Sequence, residues 1–374
     1  MSKHTYIPDN LPLPLEKLEL TSLIRDISDA NSALSTYDGI LRAIPNPRVL
    51  LSTLIDQEAD LSSRIEGTQA SYKDVLDKEA GKLPATTRQE NDIQEIINYR
   101  MAMITAQEYL EEGRRLSLSL ILELHQQLLT SVRGQDKSPG EFRKEQNWIG
   151  TEGSTIENAI FVPPSPIVLS TALENWEQYI SYDEVDPIVQ AAILHAQFEL
   201  IHPFKDGNGR IGRLLIPLTL YKKNRFNTPK FYLSEVLESK RGEYYERLNN
   251  ISSHRDWNGW IKFFLQAVNS QAKSNIIKVE AILELHNEMK KEIVAATNSP
   301  YSSALTDFIF IRPIFNSGHV QSYITEQHGS SVGRTTIHTN LNKLIDAKIL
   351  RISRKGSGSA PSIYSFDQLL KIIK

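Results

Sequence analysis

His202-Pro203-Phe204-Lys205-Asp206-Gly207-Asn208-Gly209-Arg210-Ile211-Gly212-Arg213 sets one histidine, one acid, one amide and two arginines around closely spaced glycines. It joins two apolar stretches. Before it, Val185, Ile188, Val189, Ala192, Ile193, Leu194, Phe198 and Ile201 leave almost no polar face, the pattern of a buried helix over about 185–201. Pro203 stops that helix and leaves His202 at its C-terminal end. After it, Ile211, Leu214, Leu215, Ile216 and Leu218 predict a second buried helix over about 209–224, so Asp206 to Gly209 is the turn between them. This helix–turn–helix sets the fold class as mainly α.

The turn has the composition of an anion site. Gly207 and Gly209 permit positive φ and leave backbone N–H groups uncovered at a helix N-terminus. Arg210 and Arg213, three apart, share a helix face and suit a polyphosphate. Asp206 offers a hard oxygen for Mg²⁺. His202 is the nearby side chain able to take a proton at neutral pH. A capped surface turn explains any one of these residues, but not the set.

These residues resemble, at every fixed position, the defining HPFx(D/E)GN(G/K)RxxR motif of Fic-domain proteins, and the likeness spans residues 90–275. The resemblance implies a helical core with a β-hairpin flap. For most members it implies AMP transfer from ATP, with Mg²⁺, to a Ser, Thr or Tyr hydroxyl of a target protein. Carried over by position, His202 is the general base and Asp206 the Mg²⁺ ligand. Gly207, Asn208 and Gly209 hold the α-phosphate, Arg210 the phosphate chain and Arg213 the γ-phosphate. Tyr245 is the candidate for the adenine pocket, although an aromatic on a helix more often belongs to a core. Residues 146–164 read as the hairpin, with Pro163-Pro164 closing it. Ile160, Phe161 and Val162 form the edge on which a target could dock by strand addition.

Ser62-Ser63-Arg64-Ile65-Glu66-Gly67 resembles the inhibitory motif (S/T)xxxE(G/N) of many Fic proteins. Ser62 and Glu66 share a helix face, and Gly67 suits a helix cap. The likeness implies that Glu66 pairs with Arg213 and so brakes the enzyme. Some relatives use the same glutamate to remove AMP, and others transfer different phosphate-linked groups.

The last eighty residues change character. A hydroxyl-rich helix over 332–345 is followed by strands at 349–352 and 362–365, which resembles a winged helix with its wing at 354–359. From Ser330 to the end, eight Lys/Arg face two Asp/Glu, a local 8 − 2 = +6. That makes DNA a candidate partner of residues 330–359, and a DNA-binding regulator with a nucleotide-sensing core the rival to the enzyme. A protein–protein module is the other use of such a fold.

The expected division is an N-terminal helical region carrying the inhibitory helix (1–88), a catalytic core (89–295) and a winged-helix-like domain (296–374). Further helices are expected over about 16–44, 49–66, 72–79, 90–112, 117–131, 166–181, 238–252 and 256–272, with another running to about 296. The chain has no cysteine, which excludes disulfides, cysteine nucleophiles and thiolate metal sites. Neither a secretory leader nor a membrane span of ~18 apolar residues is evident, so the expectation is a cytoplasmic protein with no membrane partner. Self-association is left open. His195 reads as a packed core histidine, and His125 shows no ligand spacing.

Overall fold

The computed structural model describes residues 5–373 except 15, 17, 45, 133, 152, 224–229, 330 and 359. The helices in chain order are α1 (Leu20–Ala43), α2 (Pro47–Ile65), α3 (Tyr72–Glu79), α4 (Thr87–Glu111) and α5 (Leu118–Leu128). Then come α6 (Pro166–Ile180), α7 (Pro187–Ile201), α8 (Asn208–Lys222), α9 (Ser234–Ser239), α10 (Arg241–His254) and α11 (Trp257–Thr297). The last part runs α12 (Ser302–Ile311), β1 (Ile314–Asn316), α13 (Ser317–His328), α14 (Arg334–Asp346), β2 (Arg351–Arg354), β3 (Ile363–Ser365) and α15 (Asp367–Ile372). The protein is mainly helical, and among the described residues no helix is long and apolar enough to cross a membrane.

The chain forms two compact units. The first gathers Met1–Gly39, Leu61–Thr68 and Gln94–Lys273; the second gathers Ile40–Asp60, Gln69–Ile93 and Ser274–Lys374.

In the first unit, α7 is buried on nearly every side. Asp186 caps it by accepting from the Ile188 and Val189 N–H groups, and Pro187 presets its first turn. Indole N–H groups from two directions donate to its outer carbonyls: Trp176 to Leu194 and Trp260 to Ala192. Each such large apolar side chain contributes roughly 1.5–3 kcal/mol on burial. α8 packs against α7, with Ile211, Leu214, Leu215 and Leu218 buried. The turn at 202–207 thus hangs between two immobilised helices.

The second unit contains a three-stranded antiparallel sheet in the order β1-β3-β2, with Phe315 opposite Tyr364 and Ile352 opposite Tyr364 on the other side. α12, α13 and α14 accompany it, and Ile337, Leu341 and Leu344 form the inward face of α14. β1 escapes periodicity because it is three residues long and follows Pro313 directly.

Two expectations change in extent. The helices expected over 256–272 and onward to 296 are one 41-residue helix, α11, because no glycine or proline interrupts the chain after Gly259. The hairpin at 146–164 is reduced to a single antiparallel bridge, Ile149 to Phe161, with a 3₁₀ turn at Ile156–Asn158 between its arms. The intervening residues are polar and glycine-bearing, so they supply no alternating apolar face to extend a ladder.

Candidate active site

His202 caps α7 in the left-handed region, at φ 49° and ψ 61°. Its Nδ1 lies 3.3 Å from the Glu199 carbonyl oxygen. A carbonyl only accepts, so the proton belongs on Nδ1 and Nε2 keeps its lone pair. Burial, above all, pushes the imidazole down to about 4. The ring is therefore a neutral base at physiological pH.

Gly207 starts α8 at φ 80° and gives it no side-chain cap. The Asn208 side chain bonds back into the turn. Its Oδ1 accepts from Phe204 N at 2.8 Å and its Nδ2 donates to Phe204 O at 2.9 Å. The side chain thereby closes the turn.

Both arginines are buried rather than on the surface. Arg210 donates to Asp206 Oδ1 at 3.2 Å and lies 3.8 Å from Glu95, while its Nε and Nη1 have no hydrogen-bond partner. A buried guanidinium with idle donors is costly unless a ligand uses them. Asp206 is half-buried, with Oδ1 held by its own Gly207 N–H and by Arg210. Among the described residues no group of three or more potential ligand side chains could cage a metal. A lone carboxylate beside an anion seat fits Mg²⁺ arriving with phosphate and water ligands of its own.

Arg213 is held by the Ser62–Glu66 segment. Its Nε donates to Ser62 Oγ at 2.9 Å, and its Nη2 donates to Ser62 O at 2.9 Å and to Glu66 Oε1 at 2.7 Å. Burial alone would raise the Glu66 pKa, but Arg213 outweighs it and holds the carboxyl below its usual range. Burial likewise disfavours the Arg213 cation, and Glu66 outweighs that in turn, so the pair is ionised. Gly67 at φ 96° ends this segment, and the Thr68 N–H returns to the Ser63 carbonyl. Thr68 Oγ1 then donates to Glu95 at 2.7 Å. A Cβ on Gly209 would collide with Glu66 Oε1. The carboxylate therefore lies against the first turn of α8.

Tyr245 is 42% exposed, whereas Tyr244 is buried and bonded through its hydroxyl to His195 Nε2 at 3.0 Å. His195 Nδ1 faces the Gly212 carbonyl at 2.9 Å, which makes it a satisfied core histidine. Tyr245 packs on Tyr244 with ring centres 5.1 Å apart. On the flap, Ile160 is 55% exposed, Phe161 half-buried and Val162 buried. The Val162 carbonyl already accepts from the Tyr6 N–H at 2.9 Å, so this part of the edge is taken by the chain itself.

Sequence patterns missed three side chains at this site. His125, buried on α5, stacks on Phe204 with ring centres 3.7 Å apart. Its Nδ1 accepts from Gly140 N and its Nε2 donates to Asp206 O, each at 2.9 Å. Arg143 is buried behind His202. Glu199 has a buried, unpartnered Oε1, and burial pushes its carboxyl up to about 8. None of the three has a local spacing signal, since each is defined by distant partners.

Two family models match the chain, the Fic/DOC family N-terminal region over residues 24–108 and the Fic/DOC family proper over 115–220. A protein adenylyltransferase Fic from Drosophila grimshawi is 28% identical over 260 residues, covering 68% of this chain and 48% of that protein. Its namesake from Drosophila virilis is 28% identical over 205 residues, covering 53% and 38%. The chain thus spans about half the length, or less, of these curated relatives. A Fic family protein from Desulfovibrio desulfuricans superposes with a TM-score of 0.58 at 19% identity, covering 96% of this chain and 98% of that one. Fic-1 from C. elegans superposes with a TM-score of 0.52 at 21% identity, covering 70% and 74%. At these identities the structures speak for the fold alone.

Proposed function

The chain belongs to the Fic/DOC family, and from that premise we propose that it is a self-inhibited protein adenylyltransferase, transferring AMP from ATP to a hydroxyl of a target protein. One observation carries the proposal: beside a neutral histidine and the start of α8, the chain's own Glu66 pairs with the buried Arg213. An arginine that takes an internal anion at such a site is available to an external one once that anion leaves.

In the released state the backbone N–H groups of Asn208 and Gly209 receive the α-phosphate and its developing charge, while that of Gly207 stays on Asp206 Oδ1. Arg213, freed from Glu66, receives the γ-phosphate, and the idle donors of Arg210 take the phosphate chain. Tyr245 lines the adenine side. Mg²⁺, held by Asp206, would supply charge neutralisation on the phosphates. The target hydroxyl oxygen attacks the α-phosphorus as the bond to the bridging oxygen breaks, and pyrophosphate leaves with that electron pair. The hydroxyl proton passes to His202 Nε2 and from there to solvent. The flap, led by Ile160 and Phe161, presents the hydroxyl. While Glu66 holds Arg213, ATP lacks its γ-phosphate partner, and this is the brake.

The test uses ATP labelled in the α-phosphate, with Mg²⁺ and a cell lysate. Glu66→Gly is expected to label protein well above wild type, and adding His202→Ala to remove at least ~100-fold of that, the usual worth of a general base. Transfer of γ-label, or removal of AMP from labelled protein, would keep the site and change the reaction. ATP binding with no label in any variant would favour the rival reading, a DNA-binding regulator that senses nucleotide. The polar outer face of α14, with Arg334 and Lys343 against one acid, Asp346, supports that reading.

A further inference from the structure

Arg143 is a buried cation without an anion. It is 2% exposed, and among the described residues every partner of its guanidinium is a backbone carbonyl. Nε donates to His202 O at 2.8 Å, Nη1 to Glu145 O at 3.2 Å, and Nη2 to Pro164 O at 2.5 Å and Ile201 O at 3.3 Å. Its own N–H donates to Pro203 O at 2.9 Å. Burial pushes the guanidinium down only to about 10, so it stays charged at neutral pH.

The carbonyls come from three places. Ile201 and His202 are the last residues of α7 and its cap. Glu145 leads into the flap and Pro164 leads out of it. Helix C-terminal carbonyls carry partial negative charge and lack helical partners, which explains how a lone cation is tolerated there. His202 is held at positive φ without being glycine, a conformation that persists only when its surroundings impose it. Among the described residues the arms of the flap are joined by the Ile149–Phe161 bridge and by Gln146 Nε2, which donates to the Pro163 carbonyl at 3.0 Å.

We propose that Arg143 is a positioning residue that fixes His202 and both roots of the flap in one frame, so that a hydroxyl docked on the flap arrives in register with Nε2. The assignment rests on the adenylyltransferase reading for its consequence, but not for its geometry. Only a planar fork spreads donors to carbonyls in several directions; a lysine ammonium reaches fewer of them from a single point. Arg143 touches neither the nest nor Arg213, so nucleotide binding should not depend on it.

The experiment compares Arg143→Lys and Arg143→Ala, each in the Glu66→Gly background, with the parent. Amide hydrogen exchange at Ile149, Ile160 and Phe161 reads the flap, calorimetric titration with Mg²⁺–ATP reads the nest, and α-label on lysate protein reads transfer. Flap exchange is expected to rise at least ~10-fold, the least that loss of hydrogen bonds to a charged group is worth. The ATP Kd should stay within about twofold while labelling falls by at least ~10-fold. Guanidinium ion at millimolar concentration should restore flap protection to Arg143→Ala. Unchanged flap exchange overturns the proposal, and so does an equal rise throughout α7 and α8, which would mark a merely structural role. If the parent itself transfers no label, the adenylyltransferase reading fails while flap exchange still decides the role of Arg143.

Discussion

In the proposed reaction His202 acts through its ring tautomer and its lowered pKa. Nδ1–H facing the Glu199 carbonyl leaves Nε2 as the base, and burial lowers its pKa to about 4. An unperturbed histidine would lose activity as pH falls through ~6.5. The lowered value predicts instead that transfer by Glu66→Gly is flat from pH 8 to 6 and declines only towards 4. Since the Glu66 charge raises the His202 pKa, its removal shifts the decline lower still. Steady-state rates across that range check this, and an inflection near 6.5 would show a solvated imidazole. Glu66, Arg210 and Arg213 follow the same logic at the residue scale. Arg210 and Arg213 are buried charges whose role depends on which anion faces them, and for Arg213 that anion is the half-buried Glu66.

At the scale of elements, the α7–turn–α8 unit was readable because its signals are contiguous: an apolar run, a proline stop, two glycines and a second apolar run. The flap was less readable, since a bridge and a 3₁₀ turn depend on side-chain capping by Asn158 and on the Tyr6 segment rather than on alternation. α14 poses the remaining question. Its exposed residues are Arg334, Thr335, Thr336, His338, Thr339, Asn342, Lys343 and, at its C-terminal end, Asp346, with no large apolar side chain among them. Gly333 leaves its N-terminus without a side-chain cap, and Lys355 and Gly356 in the turn between β2 and β3 are exposed. Such a face suits a phosphate backbone better than an apolar protein partner. Fluorescence anisotropy with a labelled duplex is expected to show salt-dependent binding. Arg334→Ala with Lys355→Ala should flatten the slope of log K against log salt by about 2, close to 0.9 per lost phosphate contact. Absence of binding at low salt, or an unchanged slope, removes DNA as a partner.

For the molecule as a whole, the buried titratable groups set a pH window for stability. His125, His195 and His202 are lowered to about 4, 3 and 4, chiefly by burial. The unfolded chain binds more protons at these positions between those values and ~6.5, so their stabilisation is complete above ~6.5 and is lost as pH falls. Glu199, raised to about 8 by burial, acts in the opposite sense: its contribution is lost as pH rises from the usual carboxylate range towards 8. Each unmatched proton changes stability by about 1.4 kcal/mol per pH unit. Melting temperature should therefore peak near pH 6–7, and Glu199→Gln should remove the decline towards pH 8 while keeping the acid limb. Scanning calorimetry of the two proteins tests both limbs.

The sequence by itself determined the helical class, the glycine-bearing turn between α7 and α8 and the placement of His202, because these follow from residues within a few positions of one another. It also singled out Glu66, through a short segment whose meaning depended on the turn elsewhere in the chain. Only the tertiary structure brought Glu66 onto Arg213 across 147 residues, spent the Asn208 side chain on Phe204, and set His125 and Arg143 against the carbonyls of Asp206 and His202. The physical reason is that a hydrogen bond to a backbone carbonyl leaves no mark on the composition or spacing of either partner. Periodicity records which face of a helix is buried, not which distant group it meets.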